Sequence, residues 1–538
     1  MNVKTCWEDE EGNHSVPYLF IQQVNCLFMS INVMIRSMFK KTIDSLFAFF
    51  ESYFYERPLN LVILAVSISV SINIYFSTVQ MVKGGFIETD MWFFAYRIEE
   101  MADHGIKNLF TTPYGFIDIH PPLYYLITVP LRKTGVSVLW IAALLRFITP
   151  VTVIYLVYRI GDSLFGKQAA AVSCFFIALM PPSGSYHGLW TSTPITVSLI
   201  PFLAGVYGVV KFSESRGSTW IFWSVLLFFL ASLTHLFTAV ASFIFMGCTL
   251  FFFRKSISRL FILVVLVILA IITVYGWNFF SVLGESTSLI DVLRSAFGSP
   301  SSQKASMLRQ FFFIAYWPRH FTLIASVSFC GTLFHFYARK SPMRVVDKIF
   351  FVWMIALTVY SQLFLVGIYL SNQRFLLFLL FSIGMYGGYG FVKEIMPALK
   401  NHTFLKFSFF TSILLFSVYP VGIALAYYPT TIRSDDVTSC EELSSIIPEG
   451  TLYVQNWFHN GRYLFAFITD HPHIIWDVQV NRQIGSIDSN TYSVCVSSGV
   501  EYLVVVSEAR AQVYLSSMKG NISLLWTDGR FYLLAVYS

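Results

Sequence analysis

The chain has 538 residues, of which 56% are hydrophobic, 18% aromatic and only 12% charged, with a net charge of +6 and a mean hydropathy of +0.63. A water-soluble domain carries about 25% charged residues. The composition therefore excludes a soluble enzyme, a disordered scaffold and a nucleic-acid-binding module. It indicates a chain that lies in a lipid bilayer.

Long apolar runs recur along most of the chain. One crossing of a hydrocarbon core about 30 Å thick needs about 20 apolar helical residues. On that basis residues 59–428 are predicted to form a transmembrane domain of about 11 helices. The predicted spans are 59–80, 138–160, 168–183, 193–211, 219–235, 237–253, 259–281, 311–337, 347–370, 375–393 and 405–427.

Residues 1–58 are predicted to form a cytoplasmic or interfacial segment ahead of the first span. Within it, residues 18–50 are apolar but interrupted by Arg36, Lys40 and Lys41. We expect an interfacial helix there, with an additional span or a signal anchor as the alternatives.

Basic residues mark the predicted inner side of the membrane. With the N-terminus inside, every inner connection between spans carries Lys or Arg, as membrane topology rules require. Arg132 and Lys133 are the exception, since they fall on the outer side. An odd number of spans places the C-terminal end outside the cytosol.

Two polar regions lie on this outer side. The first is the loop 81–137 after the first span, and the second is the tail 429–538, where strand-like and helix-like runs alternate as in a small extracytoplasmic α/β domain. The predicted strands are 451–455, 473–476, 501–507, 523–526 and 531–536, and the predicted helices are 436–446 and 462–468. Cys440 and Cys495 share the tail, and their spacing leaves open whether they pair.

The outer loop begins with acidic residues at the membrane interface. Glu88 and Asp90 precede an aromatic stretch. A carboxylate with apolar walls could orient or deprotonate a nucleophile, or the two could hold a divalent cation such as Mg or Mn. Asp90 as a helix N-cap is the alternative. Further along, Glu99, Glu100 and Asp103 are predicted to form the water-facing side of a short amphipathic helix.

The same loop continues into a proline-fixed segment. Asp118 and His120 stand just before Pro121 and Pro122, which restrict the backbone. A histidine held there could donate to a phosphate or stabilise a leaving group. A turn in which His120 caps a neighbouring carbonyl is the other interpretation.

Other polar residues stand near the ends of spans. Arg374 opens the tenth span at its outer end, where its planar fork suits phosphate oxygens, or where it could extend to the lipid headgroups. His187, His235 and Arg319 are candidates for lining the same outer cavity. A structural role is the alternative for both histidines.

The first-loop residues together resemble the GT-C superfamily, which comprises membrane-embedded glycosyltransferases that use polyprenyl-linked sugars. The segment Phe116 to Tyr125 is similar to the Phe-Asp-Val-His-Pro-Pro-Leu pattern of protein O-mannosyltransferases. By this resemblance Asp90 falls on the catalytic acidic residue of the first loop. Arg374 falls on the arginine that binds the lipid-linked phosphate, with His120 as a further phosphate contact.

The tail carries a second resemblance. The segment 448–464 is similar to the part of oligosaccharyltransferase catalytic subunits, archaeal type, that holds the WWDYG motif. Trp457 and Gly461 match the ends of that motif, whereas Phe458, His459 and Asn460 replace its centre. The 190–193 segment also lacks the acidic pair of that family. The motif holds the acceptor in that family, so these departures do not support transfer to asparagine.

The resemblance implies a hexosyltransferase, of mannosyltransferase-like type, that moves a sugar from a polyprenyl phosphate such as dolichyl phosphate to a protein, lipid or glycan acceptor. The alternatives are a degenerate oligosaccharyltransferase-like subunit and a transporter or flippase of lipid-linked sugars. Metal-independent catalysis is favoured over a Mg or Mn site. The compact tail favours a prokaryotic plasma membrane, archaeal in particular, with the endoplasmic reticulum membrane as the alternative.

Overall fold

A computed structural model describes residues 16–83, 86, 89–105, 122–180, 188–254, 323–362, 374–413, 422, 434–455, 461–469, 474, 483–485, 487, 490–518 and 520–537. Most of them are helical. The small remainder includes a four-stranded sheet near the C-terminal end.

The N-terminal segment forms one long helix, α1 (Val16–Phe50), which is followed by a π-helical turn (Glu51–Tyr55). The basic residues within 18–50 do not interrupt this helix, because solvent or headgroups can surround long charged side chains. Within the described residues, α1 is not among the helices whose length and composition suit a crossing. Its location in the membrane interface stays a prediction.

The central part of the chain folds into apolar helices. They are α2 (Pro58–Lys83), α3 (Thr89–His104), α4 (Leu123–Lys133), α5 (Val138–Phe165), α6 (Lys167–Ala178), α7 (Pro194–Ser215), α8 (Ser218–Ser232), α9 (Leu236–Phe253), α10 (Leu323–Leu333), α11 (Val345–Ser361), α12 (Phe375–Gly390), α13 (Met396–Asn401) and α14 (Thr403–Ile413). π-helical turns follow α10 and α12, at Phe334–Ala338 and Phe391–Ile395.

Among the described residues, five helices are long and apolar enough to cross a membrane: 58–82, 138–165, 194–215, 236–253 and 375–401. The chain is thus a multi-pass membrane protein. The total of about 11 spans stays a prediction, because the span 259–281 lies outside the described residues and several others coincide with short helices. The predicted span 168–183 is one of these, since α6 has only 12 residues.

The helices form a bundle around one large apolar core. The core joins α2 and α5 to α12 with the helices between them, and it is lined largely by Phe, Ile, Leu and Val. Gly166 makes the sharp turn between α5 and α6 with a φ of +88°. A residue with a side chain rarely adopts this backbone conformation. Lys400 and Lys406 pair with Glu51 and Asp44, which attaches the end of α1 to the bundle.

The C-terminal part contains α15 (Ser434–Ser444), β1 (Leu452–Val454), α16 (Gly461–Thr469), α17 (Thr491–Ser497), β2 (Tyr502–Val506), α18 (Glu508–Ser517), β3 (Ile522–Thr527) and β4 (Phe531–Val536). The strand order is β1-β2-β4-β3, with β1 and β2 parallel and the other two pairs antiparallel. Four predicted strands are present, and the fifth, 473–476, is described only as a bridge at Ile474.

The two faces of this sheet belong to two different cores. One face, with Leu452, Val504 and Leu533, packs with α3, α4 and the start of α5. The other, with Leu503 and Leu534, packs against α18. The outer loop and the tail therefore share a core, which places them at the same end of the bundle. We call this the outer end.

The structure decides whether Cys440 and Cys495 pair and which acidic residues of α3 face water. Cys440 lies in the core with α3 and Cys495 in the core with α18, on opposite faces of the sheet, and both are free thiols. The expectation that Glu100 faces water is wrong, because Glu100 is buried and pairs with the buried Arg97. Asp103 is exposed as predicted.

Candidate functional site

Asp90 lies in the first turn of α3 at the outer end. A negative charge is favourable there, since the N-terminus of a helix carries a partial positive charge. Trp92, two residues later, is fully buried and packs edge-to-face against Phe86 and Phe467. Because Phe467 belongs to α16, the C-terminal part of the chain fixes the turn that presents Asp90.

A buried ion pair anchors α3 further along its length. Arg97 and Glu100 pair one turn apart, and the Arg97 guanidinium lies 6.0 Å from the centre of the Tyr125 ring on α4. Glu99 on the same helix pairs with Arg132 at the far end of α4, at 2.5 Å. These contacts hold α3 and α4 together as one unit beneath the sheet.

The start of α4 is attached to two other parts of the bundle. The amide of Leu123 donates to the carbonyl of Leu233 at 2.8 Å, and the hydroxyl of Tyr124 donates to the carbonyl of Ser192 at 3.0 Å. The proline-fixed segment therefore enters the described part of the chain, at Pro122, beside the turn between α8 and α9.

Arg374 is the residue that caps the start of α12, also at the outer end. Its Nη2 donates to Oδ2 of Asp90 at 3.3 Å, across 284 residues of sequence. The Arg374 side chain is 24% exposed and the Asp90 side chain 14%, so both are accessible in part. The guanidinium also lies 5.8 Å from the centre of the Phe237 ring at the start of α9. The structure thus brings together the carboxylate and the guanidinium that the sequence singled out.

His235 belongs to the same neighbourhood. It stands immediately before α9, is 3% exposed, and its ring centre lies 5.6 Å from that of Phe237. His235 thus contacts the ring that lies beside Arg374, and its role in lining the cavity stays a prediction.

The remaining predicted site residues cannot be placed. Glu88, Asp118, His120, His187 and Arg319 lie outside the described residues. So does most of the WWDYG-like segment, residues 456–460, although the strand before it and the helix after it are described.

The sequence analysis did not single out Phe237, which the structure places at the site, or two buried arginines, Arg97 and Arg146. Phe237 contacts Arg374, Arg97 forms the ion pair within α3, and Arg146 is fully buried in α5. Both arginines carry a recognisable signal. Arg97 precedes an acidic residue by three positions on a helix, and Arg146 is a charge inside an apolar span. Phe237 carries no signal, since it is one of 55 phenylalanines.

Whether a divalent metal takes part in the chemistry stays a prediction, since Glu88 lies outside the described residues. No group of three or more His, Cys, Asp or Glu side chains occurs among the residues that the structure describes. The segment 190–193 contains buried hydroxyls, and that of Thr191 lies 2.6 Å from the hydroxyl of Thr196 on α7.

The arrangement suits transfer chemistry with an anionic leaving group. A carboxylate can orient a hydroxyl or amide and accept its proton. A guanidinium offers five N–H donors in a plane, which match phosphate oxygens and can neutralise charge as it develops. Both groups stand at the starts of helices, Asp90 in the first turn of α3 and Arg374 at the N-cap of α12.

No protein-family model and no curated protein sequence matches this chain. Solved structures do match. The oligosaccharyltransferase AglB from Archaeoglobus fulgidus, in complex with an inhibitory peptide and a dolichol-phosphate, is 15% identical, with a TM-score of 0.57 over 90% of this chain and 74% of that one. Its apo form gives a TM-score of 0.56, at 15% identity, over 88% and 72% of the two chains.

ArnT from Cupriavidus metallidurans bound to undecaprenyl phosphate is 12% identical, with a TM-score of 0.57 over 88% of this chain and 97% of that one. At these identities the likeness concerns the fold alone. The finer resemblance to protein O-mannosyltransferases stays a prediction. The chain shares its fold with AglB and ArnT, in agreement with the fold that the resemblance to the GT-C superfamily implies.

Proposed function

We propose that this protein is a glycosyltransferase that moves a sugar from a polyprenyl-phosphate lipid to an acceptor at the outer face of the membrane. The observation that carries the proposal is the contact between Asp90 and Arg374, at 3.3 Å and 284 residues apart. A carboxylate and a guanidinium at the membrane's edge supply the two functions that such a transfer needs, activation of the acceptor and stabilisation of a phosphate leaving group.

The fold supports a lipid-linked donor. The AglB structure contains a dolichol-phosphate and the ArnT structure contains undecaprenyl phosphate, so two proteins of this fold hold phosphates on isoprenoid chains. The donor that we propose is of this class, dolichyl-phosphate type. A bilayer-embedded chain can receive such a lipid sideways from the membrane.

In the proposed reaction Asp90 aligns the acceptor nucleophile and accepts its proton. The nucleophile forms a bond to the anomeric carbon, and the bond from that carbon to the phosphate oxygen breaks. Arg374 holds the phosphate and compensates the charge that builds on it. A phosphate leaving group needs little protonation, so the reaction does not require a strong general acid.

We assign supporting roles by the same argument. His120 is proposed as a second contact to the donor phosphate, and Glu88, Asp118, His187, His235 and Arg319 as residues that line the cavity. Catalysis is proposed to proceed without a metal. The sugar is proposed to be a hexose and the membrane a prokaryotic plasma membrane, archaeal in particular. The acceptor is a protein, lipid or glycan.

The test is incubation of purified protein, reconstituted in liposomes, with radiolabelled polyprenyl-phosphate hexoses and a membrane extract as acceptor. We expect label to move from lipid to acceptor, and Asp90→Asn to reduce transfer by a factor of about 10³, within the range of general-base and electrostatic contributions. Asp103→Asn, an exposed carboxylate on the same helix, is the matched control and should retain full activity.

Other outcomes would contradict the proposal. Movement of intact donor between leaflets would indicate a flippase, and absence of both transfer and movement would indicate a catalytically silent, oligosaccharyltransferase-like subunit. Unchanged transfer by Asp90→Asn would remove Asp90 from the mechanism. Activity that disappears with a chelator and returns with Mg or Mn would contradict the metal-independent reaction.

A further inference from the structure

The contact between Arg374 and Asp90 is weaker than two opposite charges normally make. The single hydrogen bond runs from Nη2 of Arg374 to Oδ2 of Asp90 at 3.3 Å. Strong charge-assisted bonds are about 2.7–2.9 Å long, and arginine–carboxylate pairs often form two of them in parallel. Both side chains are also partly exposed, so neither is committed by burial to this partner.

A phosphate would compete for the same guanidinium on favourable terms. Its oxygens can accept two parallel N–H bonds, and it carries at least the charge of a carboxylate. The Phe237 ring, 5.8 Å from the guanidinium, stays a neighbour whichever anion is bound. Arg374 could therefore exchange the long contact to Asp90 for a bidentate contact to phosphate without leaving its position at the start of α12.

The contact also affects what Asp90 can do. A carboxylate that accepts a hydrogen bond from a guanidinium is a poorer proton acceptor, because the cation stabilises its ionised form. In the arrangement of the structure, Asp90 is engaged by this contact. Release of Asp90 from Arg374 would increase its ability to take a proton from an acceptor.

We propose that Arg374 is a latch shared between Asp90 and the donor phosphate. It holds the carboxylate when no donor is bound, and it gives up this contact when the phosphate takes the place of the carboxylate. This proposal rests on the proposed function and adds an order to it: the donor binds first, and only then is the acceptor deprotonated. An acceptor that arrives alone meets an Asp90 that is still engaged.

The step balances without any further reactant. The acceptor's O–H or N–H proton moves to the Asp90 carboxylate, and its electron pair forms the new bond to the anomeric carbon. The electron pair of the broken carbon–oxygen bond stays on the lipid phosphate, which Arg374 neutralises. Departure of the lipid phosphate and loss of the proton to solvent return the guanidinium to Asp90.

The latch predicts that removal of Asp90 strengthens the binding of lipid phosphate, whereas a substitution that only damages the site would weaken it. The probe is farnesyl phosphate, which lacks a sugar, titrated into the detergent-solubilised full chain by isothermal calorimetry. We expect Asp90→Asn to raise affinity about tenfold and Arg374→Gln to lower it at least tenfold, which are ordinary magnitudes for coupled sites. Asp90→Ala provides a second variant, so that one poorly folded protein does not decide the result.

The double variant distinguishes a latch from general repulsion between Asp90 and phosphate. In an Arg374→Gln background, Asp90→Asn should change affinity less than twofold, because no guanidinium remains to be shared. Repulsion through space would persist in that background, and this outcome would overturn the latch. Asp103→Asn is the control and should leave the affinity of the wild type unchanged.

The result separates the two proposals. If the wild type binds farnesyl phosphate but Asp90→Asn binds no more tightly, the latch is wrong and the donor class stands. If neither the wild type nor either Asp90 variant binds it, both the latch and the phosphate role of Arg374 are wrong, since the latch predicts that binding emerges when Asp90 is removed.

Discussion

The indole of Trp92 packs edge-to-face against the ring of Phe467, with centres 5.5 Å apart. Trp92 follows Asp90 by two residues on α3, and Phe467 lies on α16 in the C-terminal part of the chain. The helix that carries the candidate catalytic carboxylate is thus supported from outside the membrane domain. The C-terminal part contributes to the site by fixing its geometry, independently of any role in acceptor binding.

Phe467→Ala should therefore impair both stability and transfer. The side chain is partly buried, so we expect a loss of about 2 kcal/mol, below the 3–5 kcal/mol that a fully buried phenylalanine costs. Transfer should fall further than the unfolding temperature suggests, since a misplacement of Asp90 by about 1 Å can cost a hundredfold in rate. Thermal unfolding in detergent and the transfer assay measure the two effects.

The matched control for this variant is Leu524→Ala on β3. Leu524 is 44% exposed and lies on the far edge strand of the sheet. The Leu524→Ala substitution should leave both the unfolding temperature and the transfer rate close to those of the wild type. If Phe467→Ala has the same unfolding temperature and transfer rate as Leu524→Ala, the packing of α16 against α3 does not contribute to function.

Glu100→Gln tests the buried ion pair within α3. Removal of one charge of a buried ion pair costs about 3–5 kcal/mol, because the other charge loses that partner. We expect a correspondingly lower unfolding temperature, and partial recovery when Arg97 is also replaced by Met. Asp103→Asn, on the exposed side of the same helix, should have the same unfolding temperature as the wild type. Equal unfolding temperatures for Glu100→Gln and Asp103→Asn would show that the buried pair is not stabilising.

Much of the fold could be predicted from local pattern. Apolar length predicts the long helices, and alternation in the tail predicts β2 and β4 to within one residue of their observed ends. The burial of Glu100 was missed because its surroundings come from α4 and the sheet, which are distant in sequence. The short α6 was missed for a different reason: hydropathy measures how apolar a segment is, not where its helix ends.

The candidate site shows the same limit. Nothing in the local sequence of Asp90 or of Arg374 indicates that they meet, because their contact depends on how α3 and α12 are arranged in the bundle. The expectation that they share one site came from the resemblance to a superfamily. Phe237 could not be anticipated at all, since only the three-dimensional arrangement distinguishes it from the other phenylalanines.

The two cysteines of the C-terminal part should be free thiols that react slowly. Burial raises the pKa of Cys495 to about 11 and raises that of Cys440 as well. At pH 8 both are therefore mostly protonated, and the thiolate is the reactive form. Native protein should resist iodoacetamide, whereas protein denatured without reductant should be alkylated at both positions. A peptide pair linked through Cys440 and Cys495 in mass spectrometry would contradict their placement on opposite faces of the sheet.

Asp528, in the turn between β3 and β4, should make the stability of this part depend weakly on pH. Burial acts to raise the pKa of its carboxyl, but hydrogen bonds from Ser439 and from the amides of Phe531 and Arg530 outweigh burial and lower it. A carboxyl whose pKa is lower in the folded state stabilises the folded protein at pH above the pKa of the unfolded state, about 3.9. This contribution is lost as the pH falls through the pKa of the folded state.

Asp528→Asn should therefore lower the unfolding temperature of the protein slightly at pH 7, and the difference should disappear as the pH falls below about 4. The effect is small because the residue is exposed and solvent screens its charge. Differential scanning fluorimetry between pH 3 and 7 measures it. A difference that grows on acidification would have the wrong sign for a carboxylate stabilised in its ionised form.

Two glycines in the membrane helices should respond to the same substitution in opposite ways. A side chain on Gly390 of α12 would overlap the carbonyl of Ser328 and the amide of Thr332 on α10, because the two backbones are in contact. Gly247 in α9 has open space around the position of a Cβ atom. Small residues allow helices to approach closely in membranes, whereas an exposed glycine only weakens its helix.

Gly390→Ala should thus force α10 and α12 apart and lower the unfolding temperature markedly, with loss of folded protein in detergent as one form of that result. Gly247→Ala should be neutral or stabilise by up to about 1 kcal/mol, the difference in helix propensity between the two residues. Because Arg374 is the N-cap residue of α12, separation of the helices should also weaken lipid phosphate binding in any Gly390→Ala protein that remains folded. Equal stability of the two variants would mean that α10 and α12 are not packed backbone to backbone.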